Sequence, residues 1–304
     1  MPVIAFNCRL VSPLHTAGER YSNVQTCAPY VLGSTLRGAM LSHIVRRLCP
    51  AEHFESLLCD NPGYHAQCPG PCGAKPLFDS ARTRFSFGRF PDDRPPRAFR
   101  SRVAIDRERW SVAEGALLQF EVIPPSERDG KPTCFEFQVE VPDDVPAALV
   151  REAVTWAGEA GIGAFRNEGY GRFTVEDTPA GFTAAPQQAL PAGRYRLEVE
   201  TPYVLPGLPF GEAALRGDLD SLLGDAWSAN HLEEVRVEDA NLGYVGRWCY
   251  EDGRRHTRAV ALPGSVLSIG VKSDIDGSQA TRILRGLGEW ADVGFGRFTA
   301  SCAP

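Results

Sequence analysis

The chain has 304 residues, 43% of them hydrophobic and 23% charged, which is enough apolar material for two packed cores. Its net charge of −6 excludes a broad basic surface that wraps nucleic acid indiscriminately, though not a local basic groove. No apolar run is long enough to cross a bilayer, and Met1-Pro2-Val3-Ile4-Ala5-Phe6 lacks the basic flank and apolar stretch of a signal peptide. The expected setting is cytoplasmic, with no membrane contact.

The first half opens with a strand-like run, Val3 to Val11, followed by Ser12-Pro13-Leu14-His15. A helix follows, with Ser34 placed to cap it and Leu36, Met40, Leu41, Ile44, Val45 and Leu48 forming one apolar stripe. Strands are expected at Ala116–Ile123 and Cys134–Val141, then a second helix from about Ala147 to Trp156, a glycine-rich turn and a last strand. Residues 177–193 are rich in Pro, Ala and Gly and mark a linker. The second half repeats the plan, with a strand at Arg194–Glu200 and a helix at about Gln279–Trp290. Its middle, Gly211 to Asn241, is acidic and partly helical, and strands are expected at Leu242–Tyr250 and Ser265–Lys272. The order strand, helix, strand, strand, helix, strand is the split βαβ plan. The expected fold is therefore α+β, with two ferredoxin-like (RRM-like) domains in tandem. They span residues 1–178 and 194–304, joined by a linker at 179–193, with a cysteine-rich insertion at about 49–78 in the first.

One phrase occurs twice. Gly169-Tyr170-Gly171-Arg172-Phe173-Thr174 returns 125 residues later as Gly294-Phe295-Gly296-Arg297-Phe298-Thr299. Glycines flanking an aromatic let the backbone bend tightly and approach something bulky, and the arginine suits a phosphate. The first copy extends back through Arg166 and Gly163 to Gly161, and the second reads as the shorter. Phe173 and Phe298, at the start of each closing strand, are expected to point into the cores.

Other segments carry chemistry. From Arg82 to Arg109 there are nine arginines against four acids, with Phe85, Phe87, Phe90 and Phe99 interleaved. That pattern fits a solvated loop on charge alone, and a nucleic-acid strand once the aromatics are counted. The first helix begins Gly33-Ser34-Thr35-Leu36-Arg37-Gly38. Arg37 sits in a first turn, where a bound anion would reverse an unfavourable dipole interaction; the alternative is a side chain that faces solvent. Cys59, Cys68 and Cys72, in a Pro- and Gly-rich segment, have the turns that structural zinc sites use, with Cys49, His53 or His65 as the fourth ligand. His15 could act as a general acid or base on a ribose 2′-OH, or be structural.

Together these pieces resemble the RAMP proteins of CRISPR-Cas systems. The resemblance rests on Ser12-Pro13-Leu14-His15, on Tyr30 to Ala39, on Val103-Ala104-Ile105-Asp106-Arg107 and on the Gly161–Arg172 loop. In the second half it rests on Ala261 to Leu267 and on Gly288 to Phe298. It implies a CRISPR RNA-binding subunit of an antiviral effector complex, most like the two-domain subunits of type III complexes that grip the repeat-derived tag of the guide. It also implies other effector subunits as partners. Residues 33, 34 and 37 (Gly33, Ser34, Arg37) and the two glycine loops would meet RNA backbone: Gly161, Gly163, Arg166, Gly169, Gly171 and Arg172 in one, Gly294, Gly296 and Arg297 in the other. The loop after the first strand, Thr16 to Pro29, holds Glu19 but no aspartate, which argues against target slicing. The rival is a RAMP that processes precursor CRISPR RNA without metal, with His15 catalytic. A zinc-containing RNA-binding module outside CRISPR is the third reading.

Overall fold

A computed structural model describes residues 2–48, 83–91, 94–106, 111–127, 129–176, 183–184, 189–249 and 254–302. The described residues are mixed α and β, and they divide into two compact units between Thr183 and Ala184.

In the first unit the elements run β1 (Pro2–Leu10), β2 (Ala17–Tyr21), β3 (Val24–Cys27), β4 (Tyr30–Val31), α1 (Gly33–Leu48), β5 (Arg84–Phe85) and β6 (Gly88–Arg89). They continue with β7 (Ala98–Asp106), β8 (Ser111–Val122), β9 (Cys134–Glu140), α2 (Ala147–Ala160) and β10 (Phe173–Glu176). The core sheet is ordered β10-β1-β9-β6-β4, with β5 also pairing β9. Strand β1 alternates: Ile4, Phe6, Cys8 and Leu10 are buried, while Ala5, Asn7 and Arg9 are exposed. One face of the sheet is therefore covered and the other open. Register sets Phe6 opposite Phe137, and the rings stack with centroids 5.1 Å apart. Helix α2 presents Val150, Ala153, Val154 and Ala157 to this core. It comes so close to β10 that a Cβ on Gly158 would lie 2.3 Å from the Phe173 carbonyl oxygen. Burial of each large side chain here stabilises the unit by about 1.5–3 kcal/mol.

A second sheet, β2-β3-β8-β7, carries the long β7–β8 ribbon. The expected strand at Ala116–Ile123 belongs to this ribbon, and the core strand between α1 and β9 is instead the broken pair β5 and β6. Each of those is only two residues long, too short to show a period in the sequence. The ribbon is rooted at Leu14, whose backbone N–H and C=O both bond Ile123 at 2.9 and 2.8 Å.

In the second unit, a sheet of Leu232–Asp239, Val266–Val271, Gly193–Val199 and Phe298–Cys302, in that spatial order, is the main layer. Helices Glu212–Leu223 and Gly277–Gly286 complete it. Asp276 caps the latter, accepting from the Ser278 and Gln279 N–H groups. The strand expected at Leu242–Tyr250 lies outside this layer, in a hairpin with Arg254–Ala261 that Tyr203–Val204 extends to a three-stranded sheet. Numbered along the chain, the four principal strands of each unit have the same spatial order: fourth, first, third, second. Phe173 and Phe298 are both buried, one in each core.

The glycines of the first loop differ in what holds them, and that difference is measurable. A Cβ at Gly171 would sit 1.9 Å from the Ile162 carbonyl oxygen at φ +72, whereas Gly169, at φ +82, has open space around it. Gly171→Ala is expected to cost about 3 kcal/mol or more, and Gly169→Ala about 1 kcal/mol, from backbone strain alone. Denaturant melts of the two variants compare them directly, and equal losses would contradict the crossing described below.

Candidate functional site

The site grows out of a backbone crossing. Helix α2 ends at Gly161, and the chain runs through a single 3-10 turn, Arg166–Glu168, before entering β10. Ile162 N–H donates to the Gly171 carbonyl at 3.0 Å, Gly171 N–H to the Pro13 carbonyl at 2.8 Å, and Ala164 N–H to the His15 carbonyl at 3.0 Å. The Arg172 carbonyl accepts from Val11 and Ser12 N–H, and the Ser12 hydroxyl accepts from Arg172 N–H at 2.9 Å. Gly163 passes so near that a Cβ would meet the His15 carbonyl oxygen at 2.4 Å. The loop is thus stitched to residues 11–15, and its glycines are required by close approach.

The second unit builds the same crossing. Leu287 N–H donates to Gly296 at 3.3 Å, Gly296 N–H to Pro202 at 3.0 Å, and the Arg297 carbonyl accepts from Glu200 N–H at 2.9 Å. The Thr201 hydroxyl accepts from Arg297 N–H at 3.0 Å, as the Ser12 hydroxyl does from Arg172. The turn Ala291–Val293 takes the place of Arg166–Glu168. The second copy is therefore not the shorter one. At a constant offset of 125 residues, Leu287 matches Ile162, Trp290 matches Phe165, Gly294 matches Gly169 and Gly296 matches Gly171.

Side chains on the first loop meet the β7–β8 ribbon. The His15 ring lies 5.4 Å from the Phe165 ring and 5.7 Å from Phe120, and Phe120 lies 4.8 Å from Phe165 and 6.2 Å from Tyr170. The Arg102 guanidinium sits 3.9 Å from the centre of the Phe165 ring and pairs with Glu168. Arg166 and Arg172 are exposed, and Arg172 Nε donates to the Glu159 carbonyl at the end of α2. In the second unit Arg297 is half-buried, its Nε 3.9 Å from Glu200 Oε2.

His15 has no exposed surface, and in this conformation it offers no ring nitrogen to an external 2′-OH. Its Nδ1 lies 2.7 Å from the Glu121 carbonyl oxygen. A carbonyl only accepts, so the proton is on Nδ1; Nε2 is buried without a partner. Burial lowers its pKa from the ordinary 6.5, opposed by the Glu121 carbonyl hydrogen bond.

Helix α1 begins at Gly33, and the Leu32 carbonyl accepts from Thr35 and Leu36 N–H. Ser34 is therefore inside the first turn rather than the cap. Gly33 is buried, and Ser34 and Arg37 are half-buried. The Arg82–Arg109 run divides by burial: Phe85, Phe87 and Phe90 are core residues, and only Phe99 of the four aromatics is exposed. Cys49, Cys59, Cys68 and Cys72 lie outside the described residues. Among the described residues no group of His, Cys, Asp and Glu is arranged to hold a metal, and no helix is long and apolar enough to cross a membrane. Cys8 and Cys27 are buried, and burial raises both thiol pKa values; Cys302 is exposed. Sequence reasoning counted Arg102 only as one of the nine arginines of the Arg82–Arg109 run and passed over Phe120, Phe165 and Glu168 as site residues. The signal available for these was an aromatic at position 165, amid glycines.

The profile of the RAMP superfamily matches residues 7–174, and the chain belongs to that superfamily. No curated protein matches it. Among solved structures it is similar to a chain of the type III-B Cmr-beta complex bound to cognate target RNA and AMPPnP, at 10% identity and a TM-score of 0.42, covering 97% of this chain and 95% of that one. It is also similar to a chain of the type III-B Cmr-beta complex bound to cognate target RNA, at 12% identity and a TM-score of 0.41, covering 60% and 61%.

The buried His15 makes stability pH-dependent. The folded state resists protonation while the unfolded state protonates near pH 6.5, so stability is intact above that value and falls as pH drops below it. His15→Asn, which keeps a donor for the Glu121 carbonyl, is expected to flatten the melting temperature across pH 7 to 5 relative to wild type. Parallel pH profiles for the two proteins would refute this.

Proposed function

We propose that the protein is a CRISPR RNA-binding subunit of an antiviral ribonucleoprotein effector complex, working in the cytoplasm beside other effector subunits and gripping the repeat-derived part of the guide. The observation that carries this reading is the hydrogen-bonded glycine crossing, built twice to the same plan, with Arg166 and Arg172 exposed on the first copy. Membership of the RAMP superfamily supports it. Each unit is read as a ferredoxin-like domain, because both share the strand order fourth, first, third, second. With a net charge of −6, affinity has to come from local guanidinium groups and not from the overall field. Arg166 and Arg172 would meet phosphate, and so would Arg297 and the start of α1 near Arg37. The proposal includes a structural zinc held by Cys59, Cys68, Cys72 and Cys49; elemental analysis of freshly purified protein tests it. The processing-nuclease reading gains nothing from the buried His15.

The test is the affinity of the full chain for labelled repeat RNA. An Arg166→Ala/Arg172→Ala variant is expected to bind about tenfold more weakly, with the salt dependence of log K reduced by about two phosphate contacts. Wild-type affinity and salt slope in a folded double variant would remove the loop from the RNA surface. Wild type incubated with the same RNA in EDTA is expected to leave it uncut.

A further inference from the structure

The chain contains an aromatic where its own backbone asks for glycine. In the first loop the positive-φ positions are Gly161, Gly163, Gly169 and Gly171, and then Phe165 at φ 62. In the second loop they are Gly288, Gly294 and Gly296, and then Trp290 at φ 64. A bulky residue in that region is strained, and such strain persists where the side chain is needed. Phe165 is only half-buried: the His15 ring stacks against it, Phe120 and Tyr170 meet it at an angle, and the Arg102 guanidinium lies over its ring.

Arg102 is held from both sides. The register of β7 against β8 sets Arg100 opposite Phe120 and Arg102 opposite Leu118, placing all four on one face of the ribbon. Arg100 shares that face and is exposed, Arg166 is exposed on the loop itself, and Glu168 is the acid paired to Arg102. Both members of that pair are partly exposed, so the pair is weak and open to exchange. The second unit also has an Arg–Glu pair beside its loop aromatic in sequence. Arg258, on the hairpin strand Arg254–Ala261, pairs with Glu289 at 3.0 Å, next to Trp290, whose ring lies 5.4 Å from Phe295.

We propose that the junction of ribbon and loop in the first unit binds one nucleotide of single-stranded RNA. Its phosphate lies on Arg102 and its base against Phe165, and Glu168 is an internal anion that holds the phosphate's place until RNA displaces it. An aromatic face with a guanidinium fork is the chemistry that holds an unpaired nucleotide. The inference rests on the RNA-binding reading of the same loop. It adds Arg102, Phe165 and a competing carboxylate, and makes a prediction of opposite sign.

The experiment measures anisotropy of a labelled single-stranded repeat RNA with the full chain and three variants. Glu168→Gln is expected to bind about two- to fivefold more tightly. Arg102→Ala is expected to bind about three- to tenfold more weakly, with the salt slope reduced by about one contact. Phe165→Leu, which keeps apolar bulk, is expected to lose at least about fivefold with that slope unchanged. If wild type binds and Glu168→Gln binds no better, or Phe165→Leu binds as wild type does, the nucleotide site is overturned while the wider reading stands. If wild type binds no RNA, both fall. Melting temperatures of all four proteins separate lost contacts from lost folding.

Discussion

Gly171 and the Ile162 carbonyl lie so close that no methyl group fits between them. Everything proposed for the first unit depends on that contact. It closes the loop that joins α2 to β10, and the adjoining bond from Gly171 N–H to Pro13 fixes the exit of β1. The segment held there continues to Leu14, which roots the β7–β8 ribbon, and to His15, which lies under Phe165. A packing constraint on one glycine therefore sets where the guanidinium groups of a distant ribbon come to rest. Leu287 and Gly296 meet under the same constraint, with a Cβ on Gly296 only 1.7 Å from the Leu287 carbonyl oxygen.

The arginines do two kinds of work. Arg97 lies 2.9 Å from Glu121 Oε2 and also bonds the Cys27 carbonyl. Glu121 in turn accepts from Cys27 N–H. That network braces the ribbon against β3. Arg100 and Arg166 point to solvent, and Arg102 stands between, paired yet partly exposed. In a chain of net negative charge, the proposed RNA binding rests on a few local guanidinium groups, because the overall field would repel a polyanion.

The repeated phrase was legible in the sequence because glycine and arginine at fixed spacing are rare enough to stand out. The helical stripe of α1 and the burial of Phe173 and Phe298 were legible for the ordinary reason that apolar periodicity reports a core. The core strand between α1 and β9 was not legible. It is two fragments of two residues each, whereas the ribbon strand at Ala116–Ile123 has the length and pattern of a core strand and lies in another sheet. Phe85, Phe87 and Phe90 read as a stacking surface because arginines are interleaved with them, yet all three are buried around the short strands β5 and β6, where Ser86 and Gly88 are buried too. Ser34 looked like a cap, but the helix starts at Gly33. The equal length of the two loops was hidden because, ahead of the shared six-residue phrase, only Gly161/Gly286 and Gly163/Gly288 are identical; Ile162 and Leu287, or Phe165 and Trp290, match in backbone role and not in identity. Arg102 and Glu168 are 66 residues apart, and no local pattern joins them.

Ultraviolet cross-linking of bound repeat RNA, followed by peptide mapping, tests the central claim most directly. The account predicts cross-links on the two crossings, at Phe165 or Tyr170 in the first and at Trp290 in the second, all three half-buried. RNA bound at full occupancy with cross-links elsewhere, and neither loop labelled, would contradict it.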